Sequence, residues 1–370
     1  MSVASAHPAP LEGQEFSQVK LWAWIGAFWY VFIAYTIATW IGEGAATFVN
    51  PGDDIPAMET LIWIITMDIL GPICAVWVII RVIVMPKLKS GSFSSDGLLV
   101  IAFFFMFWQD PLLAYSAPWF LYNSLHFNLG NWVEFVPGAL SPNSRFISEP
   151  LLTWSTAYIF FMFWPVVFVC WAMKKWKNYR PHAGVLSLLA AAFLAGFTFD
   201  LIMELIFLHT GGYAYIGSIQ NASLFGGQIW QFPLYEIFLW GGTWGLCGAF
   251  RYFKDDKGYM FCERGVDKLQ MTAGKKTFIR FLAISGLMQT IMMFWYNAPM
   301  QWFGTHGDAF PEGVPSYLMN GICGEGTQYA CPAPSIPLPR GADSISVGPD
   351  LQVHFGKLPA EDVFYQEITN

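Results

Sequence analysis

Seven stretches of this 370-residue chain are apolar over about 20 residues, the length that carries one α-helix across roughly 30 Å of hydrocarbon. They run Leu21–Ile41, Met58–Val84, Leu98–Ala117, Leu151–Met173, Val185–Leu208, Ile229–Phe250 and Phe278–Tyr296. No soluble core demands so many runs of this length. Hydrophobic residues make up 55% of the chain and charged ones only 12%, against about 25% in a soluble domain. Nothing basic enough to hold nucleic acid is present. The expectation is an all-α, multi-pass protein of the cell membrane with about seven transmembrane helices.

The basic residues predict its orientation. Sixteen of the nineteen Lys and Arg fall on one side of the alternating spans, and only Arg145, Arg340 and Lys357 on the other. By the positive-inside rule the N-terminus is cytoplasmic and the C-terminus outside. Residues 1–19 then form a cytoplasmic segment, 20–297 a transmembrane domain with a long outer loop at 118–150, and 298–370 an outer tail rich in Pro and Gly. A loop of that length predicts a lid or binding loop. Cys323 and Cys331 lie in the tail, where an oxidising compartment allows a disulfide. Cys74, Cys170, Cys247 and Cys262 read as packing residues. The glycines at 241, 242, 245 and 248 predict a close helix contact. No metal-ligand spacing and no cofactor motif is evident.

The informative residues are those a bilayer rejects. Asp68, Asp110, Asp200, Glu204 and Glu236 lie inside the apolar runs, and a carboxylate at mid-membrane costs on the order of 2.5–3.5 kcal/mol. At about 1.5 Å of helix rise per residue, all five fall at the midplane or in the outer half. Asp200 and Glu204, four residues apart, share a helix face. A common sheltered cavity is the simplest geometry that accommodates them. Two or more carboxyls in a dry aromatic pocket do not ionise equally, which leaves a neutral acid beside an ionised base. Such a pair protonates a carbonyl, accepts a proton from an attacking hydroxyl and stabilises an oxocarbenium ion. Mid-membrane acids also serve proton- or cation-coupled transporters, and a receptor or structural protein is a third class.

A resemblance bears on this choice. Trp108-Gln109-Asp110-Pro111-Leu112, then Asn123-Ser-Leu-His126-Phe-Asn128-Leu-Gly-Asn131-Trp132, and later Phe199-Asp200-Leu-Ile-Met-Glu204 and Tyr235-Glu236, resemble the AveC-like spirocyclase family. The resemblance implies a cyclase that closes a lipophilic hydroxy-ketone, of polyketide or lipid type, into a spiroketal, with a dehydration step associated. From the membrane argument, Asp110 and Asp200 are expected as acid and base, and Glu204 and Glu236 as groups that tune them. Gln109, His126, Tyr235, Gln289 and Trp108 are expected to orient substrate. No cofactor and no metal are expected; the partners are the bilayer and a lipophilic small molecule. The oligomeric state is not readable from the sequence.

Overall fold

The computed structural model describes residues 17–141, 143–324 and 331, with a two-stranded hairpin at Ile345–Val347 and Val353–Phe355. The expected cytoplasmic segment therefore lies largely outside the described residues, as does most of the tail.

The described chain is mainly helical, with almost no sheet. Long helices run Gln18–Gly42 (α1), Met58–Ser90 (α2), Ser95–Ala114 (α3), Thr153–Tyr179 (α4), Val185–His209 (α5), Leu234–Tyr252 (α6) and Ala273–Thr305 (α7). All but α6 are long and apolar enough to cross a membrane. The exception has 19 residues and carries Gly241, Gly242, Gly245 and Gly248, which add little hydropathy. It nevertheless runs the full length of the bundle. Near its start Glu236 meets Tyr215 at 3.0 Å, and at its end Arg251 meets Asp96, in the first turn of α3, at 2.7 Å. Composition thus counts six spans while packing arranges seven helices.

Burial ranks the helices. In α3, 83% of the span window is buried, against 22% in α1 and 17% in α2, so α3 is the central helix and those two are peripheral. Their outward faces carry Trp24, Phe28, Val31, Ile62, Ile65 and Ile69, all exposed, as a lipid-facing surface must. Helix α1 packs on α7, and α4 touches α2, α3, α5 and α6. Glycine permits the closest approaches. A methyl group at Gly196 in α5 would lie 2.1 Å from Gly241 O in α6, and one at Gly286 in α7 would lie 2.2 Å from Trp22 O in α1.

The two ends of the bundle differ. At one end Asp96 holds Arg251 and Lys254 (2.7 and 2.6 Å), and the fully buried Glu263 holds Arg280 at 2.8 Å and Ser95 at 3.0 Å. At the opposite end two helices change their winding. Pro111 denies its N–H to the α-helical ladder, and α3 tightens to a 3₁₀ helix over Phe107–Ala114. Helix α7 widens to a π-helix over Met292–Asn297. It continues as an α-helix to Thr305.

The loop 118–150 is packed rather than loose, because its own amides satisfy its backbone. Asn131 Nδ2 donates to Ser144 O and Ile147 O at 2.8 Å each, and Asn128 Nδ2 to Ser124 O and His126 O. A short antiparallel ribbon fastens it to the α5–α6 connection: Leu121–Tyr122 (β1) pairs with Tyr213–Ala214 (β2), with Tyr122 opposite Tyr213. Beyond it, Cys323 and Cys331 are joined in a disulfide.

Candidate active site

The β1–β2 ribbon roofs a cavity. In extended chain, alternate side chains share a face, so Phe120 and Tyr122 on one strand and Tyr213 and Tyr215 on the other all point inward. Their rings interlock, with centroids 4.8 Å apart for Phe120–Tyr122 and Phe120–Tyr215, and 5.8 Å for Tyr122–Tyr213. Below the roof, α3, α4, α5, α6 and α7 enclose a narrow cavity of about 40 Å³. Trp154, Phe161, Phe207 and Trp240 form much of the wall. Into it project three carboxyl groups from three different helices: Asp110, Glu204 and Glu236.

Tyrosine hydroxyls hold all three. Asp110 accepts from Tyr122 at Oδ2 and from Tyr158 at Oδ1, both at 2.6 Å. Glu204 Oε2 accepts from Tyr213 at 2.7 Å and lies 3.3 Å from Tyr215 Oη. Glu236 Oε1 accepts from Tyr296 at 2.7 Å and lies 3.0 Å from the same Tyr215 Oη; its Oε2 is buried without a partner. Burial first, and the facing carboxyls next, hold the Tyr122, Tyr213 and Tyr215 phenols well above their ordinary range, so they act as neutral donors.

A fourth carboxyl stands behind Asp110. Glu149, at the end of the outer loop, is wholly buried, and neither of its oxygens receives a donor. Burial, and then the Asp110 charge, push its carboxyl well above the usual range. With two tyrosine donors at 2.6 Å, neither shared with another carboxyl of the cavity, Asp110 is the best provided of the three to carry negative charge.

The remaining residues expected at the site lie elsewhere. Asp200 is wholly buried with neither oxygen partnered, but it sits one helical turn deeper than Glu204, against α6 at Gly241, and does not line the cavity. His126 Nδ1 pairs with Asp68 at 2.9 Å; Asp68 also accepts from Phe127 N and Thr153 Oγ1. These contacts clamp the outer loop to α2 and α4. Trp108, Gln109 and Gln289 join α3 to α7 through a buried amide chain. Trp108 Nε1 and Gln109 Nε2 donate to Gln289 Oε1, Gln289 Nε2 donates to Phe105 O, and Asn297 Nδ2 donates to Gln109 Oε1. Tyr235 stacks on Phe303, with centroids 3.9 Å apart. None of these five lines the cavity. Among the described residues no group of three or more His, Cys, Asp or Glu is placed to hold a metal ion.

Tyr122, Tyr158, Tyr213, Tyr215 and Glu149 are absent from the sequence expectations. The alternating aromatics Phe120-Leu-Tyr122 and Tyr213-Ala-Tyr215 carried a signal for the roof. Glu149 carried none, since an acid in a polar loop violates no rule.

Comparison with known proteins decides the family. A family profile described as Spirocyclase AveC-like matches residues 93–319, which is more than half of the chain and includes every residue named around the cavity. The chain belongs to the AveC-like spirocyclase family. No curated protein and no solved structure matches it. The family match begins at Phe93, ahead of α3, and leaves out α1 and α2. The Asp68 anchor of His126 therefore lies outside the matched segment.

Proposed function

We propose that this AveC-like protein is a membrane-embedded, cofactor-independent cyclase that closes a lipophilic dihydroxy-ketone into a spiroketal in the cavity beneath the β1–β2 roof. The observation that carries the reading is the convergence of Asp110, Glu204 and Glu236, from three helices, on one aromatic-walled space.

The chemistry needs one group that gives a proton, one that takes it, and one that tolerates a neighbouring cation. In the first closure a hydroxyl oxygen bonds to the ketone carbon. Its proton passes to a carboxylate, while the ketone oxygen takes a proton from a carboxylic acid, giving a hemiketal. In the second, the hemiketal hydroxyl is protonated and leaves as water. The resulting oxocarbenium ion is attacked by the second hydroxyl, whose proton returns to a carboxylate. The net change is loss of one water. Glu204 and Glu236 serve as the acid and base. Asp110, held by two tyrosine donors, faces the cation across the cavity. The rings of Tyr122, Tyr158 and Trp240 present electron-rich faces to the same charge. Asp200, beneath the cavity floor, takes no direct part. Because acid alone closes such rings, the pocket's main contribution is to fix one stereoisomer.

The test is conversion of a linear dihydroxy-ketone by purified protein in detergent, without cofactor or ion gradient, read by chiral chromatography. One spiroketal stereoisomer is expected, formed at least 100-fold more slowly by Asp110→Asn. Racemic product at the buffer's own rate, or uptake of the ketone into proteoliposomes driven by a pH gradient with no ring closure, would overturn the reading in favour of no catalysis or of transport.

A further inference from the structure

The geometry points to Tyr215 as a proton relay joining Glu204 to Glu236, a role that rests on the cyclase reading of the cavity. Tyr215 Oη lies 3.0 Å from Glu236 Oε1 and 3.3 Å from Glu204 Oε2. A phenol has one hydrogen to donate and lone pairs with which to accept. It therefore donates to one glutamate only, and the other contact, if both carboxyls were ionised, would set lone pair against lone pair. Both contacts become hydrogen bonds when the glutamate pair holds one proton between them. Tyr215 then donates to the ionised member and accepts from the protonated one.

Two arrangements satisfy this condition, and they interconvert without any net change in charge. When Glu236 carries the proton on Oε1, that O–H bond breaks and the proton passes to Tyr215 Oη. The Tyr215 O–H bond breaks in step, and its proton passes to Glu204 Oε2. The reverse transfer restores the first state. The flanking tyrosines keep both carboxyls in register: Tyr213 holds Glu204 Oε2 and Tyr296 holds Glu236 Oε1, at 2.7 Å each. Packing fixes the Tyr215 ring itself, which stacks on Trp119 with centroids 5.7 Å apart and meets Phe120 at 4.8 Å.

Ring closure makes use of such a hop. After the first hydroxyl adds, the proton it gave up sits on the accepting glutamate, while the donor glutamate is spent. Departure of water requires the donor to be protonated again. Tyr215 returns the proton within the pair, so the cavity need not admit bulk water between the two closures. Tyr213 and Tyr296, which each touch one glutamate, cannot do this.

The test combines infrared spectroscopy with kinetics on the full chain in detergent. Glu204→Gln and Glu236→Gln assign the C=O stretch of the shared protonated carboxyl. Tyr215→Phe keeps the ring but removes the acceptor, so that stretch should move to the position of a free carboxylic acid; Tyr213→Phe and Tyr296→Phe, which remove donors, should not free it. With substrate, Tyr215→Phe should lower kcat by about 100- to 10,000-fold, the range of a single proton-transfer group, and leave KM within twofold. An unmoved stretch, or an unchanged kcat in protein that does turn over, overturns the relay. A stretch that moves as expected in protein that closes no hydroxy-ketone upholds the paired proton and overturns the cyclase reading instead. If Tyr215→Phe does not fold, fluorinated tyrosines at position 215 keep ring and hydroxyl, and kcat must then change with the number of fluorines; kcat indifferent to them overturns the relay.

Discussion

Removing the Tyr158 hydroxyl tests whether Asp110 bears the negative charge. Tyr158 is buried in α4 and donates to Asp110 Oδ1 at 2.6 Å, while its ring packs on Phe107 and Trp240 at 5.7 and 6.1 Å. Phenylalanine keeps those ring contacts, so Tyr158→Phe removes one hydrogen bond and little else. A hydrogen bond to a charged group contributes about 1.5–3 kcal/mol, and one between neutral groups about 0.5–1.5 kcal/mol. With Asp110 ionised, Tyr158→Phe should therefore cost about 1.5–3 kcal/mol of folding stability, and turnover should fall by about one to two powers of ten as the carboxylate loses its register. The measurement is equilibrium unfolding in mixed detergent micelles, run as a double-mutant cycle with Asp110→Asn. In the Asp110→Asn background the same substitution should cost less than half as much. Equal costs in the two backgrounds would refute the ionised Asp110 and, with it, the assignment of Asp110 to the cation.

Further outcomes follow from other parts of the structure. Glu149 is held protonated when folded, so folding takes up a proton there; its contribution is complete below the ordinary glutamate range and is lost as pH rises through the raised folded value. Stability should fall on the alkaline side in the wild type and fall less in Glu149→Gln, as read by melting temperature against pH. Gly286→Leu, which drives a side chain into Trp22 O, should destabilise by about 1–3 kcal/mol or block folding, measured by detergent unfolding. Thiol labelling of denatured protein should find four free cysteines before reduction and six after, because Cys323 and Cys331 are bonded. A label applied from outside intact cells should reach a cysteine placed at Arg145 and not one placed at Lys257, if the basic residues set the orientation.

Much of the fold was legible because a bilayer leaves little choice: long apolar runs become helices, though α2, α4 and α7 run six to nine residues beyond their expected ends. Helix α6 was legible as a run but falls below the others in hydropathy, since Trp and Gly serve packing and contribute little to it. Asp110, Glu204 and Glu236 stood out because apolar segments exclude acids without cause. Asp200 stood out equally, yet lies outside the cavity: a spacing of four residues puts it on Glu204's face but about 6 Å deeper, and the cavity floor falls between them. His126, Gln109 and Gln289 show the opposite limit. A buried amide or imidazole that ties one segment to another looks, in sequence, like one that faces a substrate. The tyrosines were hidden among 15 of their kind in a chain where aromatics are everywhere. Glu149 could be found only once the loop was seen folded down behind Asp110.

The most direct test of the account is a solved structure of the protein with a non-cyclisable hydroxy-ketone analogue bound. The account predicts the analogue beneath Phe120, Tyr122, Tyr213 and Tyr215, with its ketone oxygen within hydrogen-bond reach of Glu204 or Glu236 and its reacting carbon facing Asp110. An analogue seated on another surface, with the three carboxyls unchanged and untouched, would contradict it.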